Sequence, residues 1–271
     1  MIVRSFGSGS SGNALVIETD RAAILVDCGL SGTALARGMK AGGRGLEELS
    51  AVVVSHEHVD HVRGLQRVLK GGVPLIATPG THRALDINGA SFRPLRAGDC
   101  QELEGEVTLR ALGVSHDAAD PCGFCIDADG IRVTVITDLG TADAGLAEWI
   151  ASSDLIVLEA NHDEALLRGG PYPAHLKRRV LSATGHLSNS DCGQLLRRAL
   201  SGSDRARTIW LAHLSATNNR PDLAVATVAT ALIGAGATHD VRALPRQGSP
   251  VVWRSDAPVG TSAQPMQLAL F

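Results

Sequence analysis

The chain has 271 residues, 44% of them hydrophobic and 20% charged, a balance that suits a large folded core and excludes a disordered or low-complexity polymer. Its formal net charge of -3 supplies no basic field, so a nucleic-acid partner must be held by a local patch or by bound cations. No apolar window reaches the roughly 20 residues of a membrane span, and Met1 to Gly7 carries no basic n-region, so the expectation is a cytoplasmic protein without membrane contact.

In chain order, Ile2 to Phe6 reads as a strand, followed by the loop Gly7-Ser8-Gly9-Ser10-Ser11-Gly12-Asn13. Its glycines permit tight backbone, and its amides and hydroxyls are donors that can meet a phosphate. Strands follow over Ala14 to Glu18 and Ala22 to Asp27, then a helix near Gly32 to Lys40. The apolar run Ala51-Val52-Val53-Val54 predicts a buried strand. Directly after it, His56, Glu57, His58, Asp60 and His61 crowd into six residues. On an extended strand end His56 and His58 share a face. Val62, Leu65, Val68 and Leu69 then follow at helical spacing, which leaves Asp60 and His61 at a helix start and facing the same crevice. Buried imidazoles and carboxylates this dense need a common partner, and a metal ion is that partner.

Further on, Pro74 to Ala77 predicts a strand and Pro79 to Leu85 a short helix, while Asp86 to Cys100 reads as irregular. Val107 to Val114 delivers Ser115-His116-Asp117. A hairpin of Phe124 to Asp127 and Ile131 to Ile136 turns at Asp129-Gly130 and delivers Asp138. A helix near Ala142 to Ile150 leads to the strand Leu155 to Leu158, which ends in Glu159-Ala160-Asn161-His162-Asp163. Helical stretches flank Gly185-His186-Leu187-Ser188-Asn189, and Thr208 to Leu211 leads to His213. A helix over Pro221 to Ile233 and strands near Val241 and Val251 close the pattern. Candidate ligands recur just after strands, where α/β proteins gather their sites. Cys28, Cys100 and Cys192 are scattered, and Cys122-x-x-Cys125 lacks the second pair of a zinc ribbon, so the cysteines read as reduced packing residues.

Taken together, His56-x-His58-x-Asp60-His61, His116, Asp138 and His213 resemble the metal signature of the metallo-β-lactamase superfamily. The resemblance implies an α/β fold, a four-layer αβ/βα sandwich in a single domain over residues 1–254. It also implies a dinuclear site, with His56, His58 and His116 on one metal, Asp60, His61 and His213 on the other, and Asp138 between them. Ser8-Gly9-Ser10-Ser11-Gly12-Asn13, Thr137-Asp138-Leu139-Gly140, Glu159 to Asp163, Tyr172-Pro173 with Leu176 to Arg179, and Gly185 to Asn189 narrow it. With His213-Leu214-Ser215 and Asn218-Asn219 they are similar to the YycJ/WalJ-type exonuclease group. Between Asp138 and His186 there is no room for the inserted domain of the β-CASP nucleases, and no tRNA-clamping arm is evident.

Two divalent cations suit phosphodiester hydrolysis. The expectation is a DNA exonuclease directed at 5′ ends in repair or replication, with a bridging hydroxide as nucleophile, Asp60 orienting it and His186 as donor to the leaving oxygen. Manganese is favoured for activity, with zinc as the alternative. Ser8, Asn13, His162, Asn189, Asn218 and the basic cluster Lys177, Arg178 and Arg179 are candidates for phosphate contact or for bracing the ligands. The competing reading is a thioester or lactone hydrolase of the same fold. From Ser255 the chain reads as a flexible linker to residue 271. It carries Gln267-Leu268-x-Leu270-Phe271, which resembles the peptide that docks into the bacterial DNA sliding clamp.

Overall fold

The structure is a computed structural model that describes residues 1–87 and 89–260. Fourteen strands are present among the described residues: β1 (Ile2–Gly7), β2 (Ala14–Glu18), β3 (Ala23–Val26), β4 (Ala51–Val53), β5 (Leu75–Ala77), β6 (Phe92–Pro94), β7 (Cys100–Leu103), β8 (Val107–Gly113), β9 (Cys122–Ala128), β10 (Ile131–Ile136), β11 (Leu155–Glu159), β12 (Thr208–Ala212), β13 (Asp240–Ala243) and β14 (Val251–Arg254). They form two seven-stranded sheets, ordered β14-β1-β2-β3-β4-β5-β6 and β13-β12-β11-β10-β9-β8-β7. The helices are α1 (Gly32–Ala41), α2 (Val59–Val62), α3 (Leu65–Leu69), α4 (Pro79–Leu85), α5 (Gly145–Ser152), α6 (Glu164–Gly169), α7 (Ala174–Val180), α8 (Asn189–Leu200) and α9 (Pro221–Ala231).

Alternation along the strands builds three apolar layers. Val3, Ile17, Ile24 and Val53 of the first sheet meet Leu109, Phe124, Val133 and Trp210 of the second. The other face of the first sheet, with Leu25, Val52 and Leu75, packs on Leu35, Met39 and Val68 of the helices. Ile156, Leu158 and Leu211 of the second sheet pack on Ile150, Leu195 and Val228. Helix, sheet, sheet, helix is therefore the layer order, as expected. Strands covered on both faces read as continuous apolar runs, which is why Ala51–Val53 and Leu155–Glu159 carry no alternating polar residues. Each fully buried large side chain, Trp210 and Phe124 among them, contributes on the order of 1.5–3 kcal/mol.

Two local expectations are corrected. The helix expected after His61 is split into α2 and α3, because residues 60–64 spend their backbone groups elsewhere. The Asp60 carbonyl accepts from Asn13 N–H (2.8 Å), the His61 carbonyl from Cys28 N–H (2.8 Å), and Gly64 N–H donates to the Cys28 carbonyl (2.8 Å). The stretch expected to be irregular contains β6, which pairs parallel with β5. Three residues are too few to show a period, and Pro94 reads as a breaker but is tolerated on an edge strand.

Cys122 and Cys125 point into different cores, one between the sheets and the other against the helices. They stand on opposite faces of β9 and pack, as expected of them. Burial pushes the Cys125 thiol up to about 11 and raises Cys28, Cys122 and Cys192 as well. Only Cys100 is exposed. Native protein is therefore expected to give one fast-reacting thiol with Ellman's reagent, lost in Cys100→Ser; a second fast thiol would contradict this packing.

Candidate metal centre

All seven predicted donors meet at one end of the two sheets. β4 delivers His56 and His58, α2 carries Asp60 and His61, and β8, β10 and β12 lead to His116, Asp138 and His213. Asp138 and His213, with Asp27 just after β3, have φ near +55°. Such left-handed turns in non-glycine residues are costly and concentrate at sites where the surrounding sheet enforces them. Each turns the chain sharply as it leaves its strand.

One cluster is formed by His56, His58 and His116, with His56 Nε2 3.1 Å and His116 Nε2 3.4 Å from His58 Nδ1. A second is formed by Asp60, His61 and His213, with His213 Nε2 3.3 Å from Asp60 Oδ2. Asp138 lies between them, Oδ2 3.0 Å from His61 Nε2 and Oδ1 3.7 Å from His116 Nε2. Asp138 is 2% exposed, and among the described residues its Oδ2 meets only the His61 ring nitrogen. Ring nitrogens facing ring nitrogens, with a buried carboxylate between them, fit divalent cations as the missing partner.

Four of the five rings are fixed from behind. His56 Nδ1 meets Ser55 Oγ at 3.0 Å, His61 Nδ1 meets Asp27 at 2.8 Å, His116 Nδ1 meets the Gly185 carbonyl at 3.0 Å and His213 Nδ1 meets Glu159 at 2.8 Å. Such acceptors set the tautomer and aim the opposite nitrogen inward. Burial, reinforced by neighbouring histidines, holds His56 well below the ordinary imidazole value, so its lone pair is free to ligate. Burial opposes protonation of His61 too, but Asp27 and Asp138 outweigh it and raise its pKa to about 10. A metal held by His61 would have to displace that proton.

A family model described as the β-lactamase superfamily domain matches residues 22–213. The chain belongs to this superfamily. Its fold is that of the metallo-β-lactamase hydrolases, and the solved structure of the metallo-β-lactamase fold protein YhfI from Bacillus subtilis superposes with a TM-score of 0.69. That match covers 93% of this chain and 98% of the other at 17% identity. The exodeoxyribonuclease YycJ of Bacillus anthracis is 35% identical over 231 residues, 83% of this chain and 86% of its own. The exodeoxyribonuclease WalJ of Streptococcus pneumoniae is 34% identical over 233 residues, with the same coverage.

In this metallo-β-lactamase-fold hydrolase, two acidic residues do work that was not expected of them. Asp27 accepts from Ser55 N–H (2.8 Å), Ser55 Oγ and His61. Glu159 is fully buried and accepts from His186 Nδ1 (2.9 Å), His213 Nδ1 and the backbone N–H groups of Leu139 (2.7 Å) and Leu187 (3.1 Å). Burial alone would raise the Glu159 carboxyl, but His186 and His213 bring it down to about 2. It is ionised at any working pH. Both residues stand at the end of a strand, and Glu159 also opens the Glu159 to Asp163 stretch of the resemblance; those are the signals that could have marked them.

His186 lies at the edge of the cluster, its ring 5.1 Å from His116 and 5.2 Å from His213. Burial opposes its protonation, but Glu159 raises its pKa above the ordinary value. Arg179 makes a two-pronged pair with Asp117, the residue after His116. Lys177 donates to the Arg168 carbonyl at 2.7 Å, and Arg178 is exposed. Ser8 Oγ accepts from His213 N–H at 2.8 Å, and Asn13 Nδ2 lies 3.0 Å from His61 Nε2. Asn189 is buried and exchanges amide bonds with Asn219, whose own amide reaches the Ala160 and Asn161 carbonyls. Asn218 Oδ1 and both His162 ring nitrogens are buried without a hydrogen-bond partner among the described residues. Glu57 turns away from the donors to accept from Ala119 N–H.

The loop behind Asp60 depends on Gly29. A Cβ there would stand 1.6 Å from the Asp60 carbonyl oxygen.

Proposed function

We propose that this chain is a divalent-metal-dependent exodeoxyribonuclease, acting on 5′ ends in DNA repair or replication with manganese as its activating metal. The likeness to two curated exodeoxyribonucleases over 83% of the chain carries the reading. Two metal ions, when bound, would polarise the phosphate and lower the pKa of water between them. His56, His58 and His116 would hold one, Asp60, His61 and His213 the other, with Asp138 shared. The chain's own residues supply the rest. Glu159 accepts the Nδ1–H of His186 and favours the doubly protonated ring, whose Nε2–H is the proton given to the leaving oxygen. Asp60, with 17% of its side chain exposed, orients the attacking water at the mouth of the site. Arg179 stands over the His116 end as a cation for a backbone phosphate, with Asp117 holding its fork in place. Arg178, exposed beside it, adds charge where the net charge gives none.

The test is digestion of 5′- and 3′-labelled single- and double-stranded DNA with manganese or zinc, beside a thioester and lactone panel. Manganese-dependent loss of nucleotides from 5′ ends, abolished by chelation, is expected. Efficient thioester or lactone turnover without DNA cleavage would sink the reading. The sliding-clamp contact is a separate part of the proposal. Gln267, Leu268, Leu270 and Phe271 lie outside the described residues, so it rests on sequence alone. Deleting residues 267–271 should abolish clamp binding and leave cleavage of free DNA intact; unchanged clamp affinity would end it.

A further inference from the structure

At the His213 end of the donor row, the loop over residues 7–13 and the segment after β13 face each other across a cavity of about 590 Å³. Ligand sites run to roughly 300–1,000 Å³. Ser10 and Ser11 line one side, Pro245 and Arg246 the other, and the buried Leu214 and Leu244 give it an apolar floor. The two sides are tied together, since Ser8 N–H donates to the Pro245 carbonyl at 3.2 Å. Gly9, at φ +142°, lets the loop touch both walls. A Cβ there would stand 3.0 Å from Arg246 Cγ and 3.2 Å from the Leu214 carbonyl.

Arg246 is exposed and, among the described residues, pairs with no carboxylate, whereas Arg242 nearby is bound to Asp240. An unpaired guanidinium above an apolar floor suits a phosphate joined to a ring or sugar. An acyl chain would not need the arginine, and a free phosphate would not need the floor. The cavity also adjoins the metal donors. Leu214 follows His213, and Asn13, at the end of the same loop, touches His61.

We propose that this cavity receives the nucleotide next to the scissile phosphate, with Arg246 pairing with its phosphate and Leu214 and Leu244 under its sugar or base. The assignment rests on the nuclease reading. Arg179 then serves the strand at the His116 end and Arg246 at the His213 end.

The test compares wild type, Arg246→Ala and Arg246→Lys, all metal-loaded, on an oligonucleotide and on bis(4-nitrophenyl) phosphate, which has no adjoining nucleotide. Arg246→Ala should raise KM for the oligonucleotide about tenfold with kcat held, and Arg246→Lys should recover part of it. Turnover of the small diester should be the same in all three. An unchanged KM, or equal losses on both substrates, overturns the assignment. If wild type cleaves no DNA, the nuclease reading fails by itself, and thymidine 5′-monophosphate binding decides the cavity. A Kd about tenfold weaker in Arg246→Ala keeps a nucleotide site there; an unchanged Kd ends it.

Discussion

Asp60→Asn is expected to lower phosphodiester cleavage by roughly 10²–10⁴-fold, the range for loss of a positioned carboxylate that handles a reacting group. The side chain touches His213 Nε2 at 3.3 Å and lies 3.9 Å from His61 Nε2, at the open side of the second donor cluster. The fold should survive, because what Asp60 gives the fold is its carbonyl, which accepts from Asn13 N–H whatever the side chain is. Thermal melting within a few degrees of wild type, together with metal content per chain, checks this. Cleavage retained within about tenfold of wild type would remove Asp60 from the mechanism.

Glu159→Gln should cost both stability and activity. The carboxylate is fully buried and takes four donors, from His186, His213, Leu139 and Leu187. An amide replaces one accepting oxygen with an NH2 group, which must then face an N–H. Removing one partner from a buried charged network costs about 3–5 kcal/mol, readable as a lower denaturation midpoint. Loosening His213 and His186 together should also lower metal affinity or turnover by roughly 10–100-fold or more. Metal titration and bis(4-nitrophenyl) phosphate turnover measure the two separately. A variant with wild-type midpoint and rate would show that the network is slack and that Glu159 orients nothing.

The contrast between these two residues shows what was legible in the sequence. Asp60 sits in His56-x-His58-x-Asp60-His61, where density alone demands a common partner. Glu159 and Asp27 are single acids after apolar runs, and what makes them matter is the histidine each meets across the fold. Arg246 had no signal at all, since its meaning comes from a cavity whose other wall lies over two hundred positions away at Ser11. The layer order was legible because covered strands are continuously apolar and their helices are amphipathic. The break at Gly64 was not, because the competing backbone bonds come from Cys28 and Asn13, distant in sequence. The asparagines that suggested phosphate contact also show the limit of motif reading: Asn189 and Asn219 brace one another, and that is visible only in three dimensions.

The donors alternate between the halves of the molecule: His56, His58, Asp60 and His61 follow a strand of one sheet, while His116, Asp138 and His213 follow strands of the other. A growing chain therefore holds at most one cluster's worth of histidines until its second sheet exists. His213 is the last of the seven donors in chain order. A chain that stops short of β12 lacks His213 and cannot bring all seven donors together. The donor set is complete only when β12 of the second sheet and the residue after it are present.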